Sequence, residues 1–168
     1  MDELVLNVTW EIRQRIVETT PEILGDIDST TFRDVLKHHR SGPRWKAQFP
    51  RFRESLRLAG AAYVPLAIDS MKRLLDGFRR WDGLTELGLI RPSTVRFVEY
   101  DGFPDEDATR TWIRARSLDP KSLSRAETEK VVNDELDQDE RRYQRELQEK
   151  GFAFRASYSL IGLRLGVS

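Results

Sequence analysis

Between Lys37 and Arg57 the chain gathers cations and aromatic rings, with Arg40, Arg44, Lys46, Arg51, Arg53 and Arg57 interleaved with Trp45, Phe49 and Phe52. Guanidinium groups bind phosphate oxygens through a planar fork, and exposed rings stack on bases; a flexible or single-stranded nucleic acid is bound by that combination. Lys72, Arg73, Arg79 and Arg80 extend the run, and residues 37–80 hold eleven basic against three acidic side chains, a net +8. The expected polyanion-binding set is therefore Arg40, Arg44, Trp45, Lys46, Arg51, Arg53, Arg57, Lys72, Arg73, Arg79 and Arg80. The competing reading makes Phe52 and Leu56 core residues, with Arg51, Arg53 and Arg57 laying their apolar stems beside them and their charges in water.

Two further groups invite chemistry of a different kind. Arg110, Trp112, Arg114 and Arg116 alternate along Thr109–Ser117, and Arg96 and Tyr100 alternate along the preceding segment. On paired strands these side chains form one face, which serves either as a stacking platform or as the ordinary wet face of a hairpin. From Ser124 to Lys150 a long charged segment carries only a thin apolar stripe, Val132, Leu136, Tyr143 and Leu147. That stripe either packs lightly on the protein's own sheet or forms a seam for a second copy or a partner helix, with Asp139 interrupting a regular coiled coil.

Catalytic and metal chemistry find little support. The absence of cysteine excludes thiol nucleophiles, thiolate zinc sites and disulfides. The two histidines, His38 and His39, are adjacent and diverge by about 100° on a helix, so they do not chelate one ion. Asp105, Glu106 and Asp107 lack calcium-loop spacing. No nucleophile elbow, phosphate loop or dinucleotide glycine pattern occurs. No catalytic residue, metal or cofactor is assigned, and an enzyme without a recognisable motif ranks third among the functional readings.

The 168 residues, 39 % of them apolar, fit one ordinary domain with a real core. The 28 basic and 28 acidic residues cancel overall, so specificity has to be local. It is local: residues 1–36 sum to −5 and residues 81–168 to −3 around the basic middle. No stretch approaches the roughly 20 apolar residues of a membrane span, and the Asp2-Glu3 start lacks a secretion signal's basic opening. A cytoplasmic protein without a membrane partner is expected.

The elements that must position these residues follow from periodicity and punctuation. Leu4, Leu6 and Val8 alternate as a short strand, and Thr9 is placed to cap a helix carrying Ile12 and Ile16 until Pro21 opens a brief turn closing at Gly25. Ser29 or Thr30 caps a helix with Phe32, Val35, Leu36 and His39 on one face, and Pro50 begins another with Phe52, Leu56, Ala59 and Tyr63 in line. Three- and four-residue spacing predicts a helix from Pro65 to Trp81 burying Ile68, Met71, Leu75 and Phe78. Thr94–Tyr100 and Thr109–Ser117 read as a hairpin joined by the acidic loop. Ser124 and Glu127 form a capping box for a helix that Gly151 ends, and Phe152 to Val167 alternate as a bent strand or hairpin around Gly162.

The expected architecture is a single α+β domain over 1–168: a mainly helical part, 1–92, and a part, 93–168, with a small mainly antiparallel sheet and one long charged helix. The expected function is a non-enzymatic module binding nucleic acid or another polyanion through 37–80. The alternative is a protein-interaction or assembly subunit using the 124–150 helix.

Overall fold

A computed structural model describes residues 11–36, 43–62, 64–117 and 124–165. They form an α+β fold whose chain divides into two compact units, one of residues 11–102 and one containing 103–165. The expected Leu4–Val8 strand, Thr9, His38, His39, Arg40 and Tyr63 lie outside the described residues.

The first unit runs β1 (Arg13–Val17), α1 (Pro21–Asp26), a 3-10 turn (Arg33–Leu36), α2 (Pro43–Ala59), β2 (Leu66–Asp69), β3 (Leu74–Asp76), α3 (Phe78–Glu86) and β4 (Phe97–Asp101). Its four strands lie in the order β1-β4-β2-β3. β1 runs antiparallel to β4, with Ile16 opposite Val98; β3 runs antiparallel to β2; β2 and β4 are parallel, Leu66 aligning with Phe97. A parallel pair needs a crossover, and α3 lies within it. The sheet is thus mixed, with two of its three pairings antiparallel; β4 falls on the expected Thr94–Tyr100 strand, whereas the other three strands come from the part expected to be mainly helical.

The expected Pro65–Trp81 helix is replaced by β2, a turn, β3 and the start of α3. All four residues of β2 are buried, and a strand covered on both faces reads as a continuous apolar run without alternation. Turn chemistry decides against the helix. The Asp69 carboxylate accepts from the backbone N–H groups of Met71 at 3.0 Å and Arg73 at 2.9 Å, and from Arg73 Nε at 2.7 Å. Lys72 sits at φ +60° and Gly77 at φ +95°, both left-handed and incompatible with a continuous helix. Ile68, Leu75 and Phe78 are buried as expected, whereas Met71, at the turn, is 64 % exposed.

Other boundaries move for local reasons. The expected Ile12/Ile16 helix is β1, tied across the strands by Arg15–Glu99 at 3.0 Å and Arg13–Asp101 at 3.4 Å. Pro21 opens a true helix, with the Thr20 hydroxyl accepting from Ile23 N. The helix expected after Ser29 is only a 3-10 turn in the described residues, although Phe32 and Val35 are buried. Asp28 shapes the approach to it, accepting from the N–H and hydroxyl groups of both Thr30 and Thr31. Pro43, not Pro50, opens α2, and Pro50 stands inside it, where it removes the bond to the Lys46 carbonyl.

Those hydrogen bonds, the Thr31 hydroxyl foremost, hold the Asp28 carboxyl well below the usual carboxylate range. A depressed folded-state pKa contributes stability that is fully present above the unfolded value, about pH 4, and is lost as acid protonates the folded group. We expect the difference in urea midpoint between the parent and Asp28→Asn to be largest at neutral pH and to shrink below about pH 4. An equal difference at all pH values contradicts the assignment.

The second unit contains α4 (Glu106–Ser117), α5 (Arg125–Lys150) and α6 (Tyr158–Leu165). α4 replaces the expected Thr109–Ser117 strand because Asp105 caps it, its carboxylate accepting from Ala108 N at 2.8 Å. The long helix α5 forms as the capping box predicts, with Glu127 N donating to Ser124 Oγ at 3.2 Å and Gly151 closing it at φ +78°. The expected C-terminal strand is irregular as far as Ser157 and then becomes α6. Ser157 initiates that helix by accepting from Leu160 N, and Ile161 and Leu165, one turn apart, join Val131 in an apolar cluster flanked by Ala115, Val132, Leu136 and Ala156.

Candidate nucleic-acid interface

Helix α2 carries the densest exposed charge in the basic segment. Leu56 is buried and Phe52 half-buried, and Gly83 lets α3 approach: a Cβ there would lie 2.6 Å from Leu56 Cδ1. At 100° per residue Lys46, Arg53 and Arg57 fall within about 40° of one another on one flank of this stripe, and Arg51 lies on the other. All four are exposed. Arg53 pairs with Glu86 of α3 at 2.8 Å, and Arg57 pairs with Glu54 on its own helix at 2.5 Å. Glu54 accordingly keeps its carboxyl below the ordinary range and raises the Arg57 guanidinium. Lys46 and Arg51 have no carboxylate partner among the described residues. Arg44 and Trp45 belong to the first turn of α2, but their side chains lie outside the description.

The other described cations of the segment, and Arg33 before it, serve the fold. Lys72 reaches Asp26 at 3.3 Å. Arg73 is held by the buried Asp69 and stacks over Phe32 with its guanidinium 4.7 Å from the ring centre. Arg79 lies over Phe52 at 4.2 Å, with a buried Nε that lacks an acceptor, and desolvation lowers its pKa. Arg80 donates to the carbonyls of Val64 at 2.5 Å and Pro65 at 2.9 Å and stands 3.9 Å from Asp76. Arg33 grips Asp82 through both terminal nitrogens, at 2.7 and 2.8 Å. Among the described residues the positive charge of the segment is therefore divided between core-supporting pairs and the exposed cations of α2. A small cleft of about 300 Å³, lined by Phe49, Asp82, Thr85 and Glu86, lies beside that row.

The arginines expected on a sheet face do not share one. Arg96 is exposed just before β4 in the first unit, while Arg110, Trp112, Arg114 and Arg116 belong to α4 in the second. Trp112 packs edge-on to Phe103 at 5.6 Å with Arg116 over it at 5.1 Å. Arg114 is buried: Nη1 donates to Glu135 and Gln138, both at 2.7 Å, and Thr111 donates to the other Glu135 oxygen at 2.6 Å.

That polar cluster also revises the face of α5. Its buried residues are Val131, Glu135, Gln138 and Asp139, whereas Val132 and Leu136 are half-buried against the apolar cluster. Tyr143 lies under the Arg155 guanidinium at 4.3 Å, and Leu147 is exposed. Asp139, which interrupts the stripe in the sequence, is a hub that accepts from Arg142 at 2.9 Å, Arg164 at 3.3 Å and Ala156 N at 2.8 Å. The signal was present as Glu135, Gln138 and Asp139 at helical i, i+3, i+4 spacing, the polar counterpart of a core stripe. In the acidic loop Asp105 caps α4 and Asp107 pairs with Arg145 at 3.0 Å. Among the described residues no group of three His, Asp or Glu side chains is placed to hold a metal, and no helix is long and apolar enough to cross a membrane.

No family model and no curated protein matches the chain. Solved structures do. The structure described as the C2221 form of a Pnob8-like ParB-N domain superposes with a TM-score of 0.56 at 17 % identity, covering 85 % of this chain and 51 % of its own. A second, of a pNOB8-like ParB N-domain, gives 0.57 at 17 % identity and covers 95 % and 62 %. The chain shares the fold of these ParB N-domains and spans between half and two thirds of their length.

Proposed function

We propose that the chain is a non-enzymatic interaction module on a ParB-N-type fold, engaging a nucleic acid or similar polyanion through the exposed cations of α2. The observation that carries this reading is Lys46, exposed and without a carboxylate partner among the described residues, on the same flank of α2 as Arg53 and Arg57, with Arg51 a further exposed cation without a carboxylate partner on the other flank. Phosphates dominate such affinity, and each cation neutralised adds to its salt dependence. Labelled single-stranded and duplex oligonucleotides, titrated at two salt concentrations, are expected to bind tightly at the lower and weakly at the higher.

A second reading, a protein-interaction or assembly subunit, draws on a separate observation. Phe152 and Phe154 are 63 % and 62 % exposed and line one cleft, and Leu147 and Tyr158 are exposed as well; large apolar side chains on a surface mark contact sites. Assembly through them produces a mass in sedimentation that grows with concentration and changes little with salt.

A further inference from the structure

Building on the reading of α2 as the polyanion surface, we propose that Glu86 and Glu54 are built-in competitors that occupy Arg53 and Arg57 until nucleic-acid phosphates displace them. Glu86 Oε2 lies 2.8 Å from Arg53 Nη1, reaching it from α3. Glu54 takes Arg57 in a fork, accepting from Nε at 3.0 and 3.1 Å and from Nη2 at 2.5 Å. The four side chains are each about half exposed. Ion pairs in that setting are weak and exchange partners easily. Phosphate offers the same bidentate geometry as carboxylate, so it can replace either glutamate without rearranging the arginine.

The consequence is a threshold. Lys46, on the same flank and without a carboxylate partner among the described residues, makes the first contact, while Arg53 and Arg57 are recruited only by a ligand whose phosphates are dense enough to displace two carboxylates together. A free phosphate ion meets two competing carboxylates and gains little; a strand of nucleic acid spreads the exchange over several contacts.

The test is a salt titration of a labelled single-stranded oligonucleotide against the parent, Glu86→Gln, Glu54→Gln and the double variant. Glu129→Gln on α5, which removes the exposed Arg125 pair, controls for the added net charge. Each glutamine at 54 or 86 is expected to raise affinity at low salt by up to about fivefold, the upper range for an exposed pair. The slope of log affinity against log salt is expected to stay at the parent's value, because the same phosphates are neutralised in the complex whether or not a carboxylate has first to be displaced. Glu129→Gln should match the parent. If the parent binds with a salt-dependent affinity and the glutamine variants gain no affinity over it, the competitor role is overturned while the α2 reading stands. If the parent shows no salt-dependent binding, both fall.

Discussion

Glu135→Ala is expected to destabilise the 103–165 unit by about 3–5 kcal/mol, the usual result of removing one member of a buried ion pair. Arg114 and Glu135 are 4 % and 1 % exposed, and the mutation leaves the guanidinium in that environment with only Gln138 to accept from it, while Thr111 loses its acceptor. The double replacement Arg114→Met with Glu135→Leu should cost much less, because removing both charges also removes the desolvation burden. Denaturant midpoints of the two variants, followed by circular dichroism, check this. Similar large losses in both would show that packing volume, and not the unpaired charge, controls the site.

Leu75→Ala is expected to cost about 2–5 kcal/mol, the range for a buried leucine whose cavity closes incompletely. Leu75 is fully buried in β3 beside Leu74, with Ile68 and Phe78 also in the core of the first unit. Met71→Ala, at the exposed turn between the strands, should change stability little. This contrast tests the strand–turn–strand arrangement directly: a continuous helix over Pro65–Trp81 places Met71 and Leu75, four residues apart, on one face, and the two truncations would then cost alike.

That pair shows where the sequence was legible and where it misled. The residues destined for the core, Ile68, Leu75 and Phe78, were identifiable from their apolarity, but the element was not, because a doubly buried strand followed by an apolar pair imitates helical spacing. Asp69 and Gly77 held the decisive information as turn formers. The Ser124–Lys150 helix was legible to the residue since both its caps are written in local chemistry, Ser124 with Glu127 and Gly151. The alternating arginines of α4 misled for the opposite reason: period two arose by coincidence over a helix whose start depends on one carboxylate, Asp105. For the candidate interface, the α2 cations were visible as a charge run. The Glu54–Arg57 pair follows from its i, i+3 spacing, but the hold of Glu86 on Arg53 depends on a tertiary neighbour, and no one-dimensional pattern encodes it.

The most direct test of the polyanion reading is the affinity of a labelled oligonucleotide for the parent and for Lys46→Glu/Arg51→Glu, measured by fluorescence anisotropy across a salt series. Both side chains are exposed, so the double variant should keep the parent's denaturation midpoint. The parent is expected to lose affinity linearly in log salt, by about 0.9 per duplex phosphate or about 0.7 per single-strand phosphate contacted, and the double variant to lose nearly all binding at every salt concentration. A folded double variant that binds as tightly as the parent, with the same salt slope, contradicts the assignment of α2 as the interface.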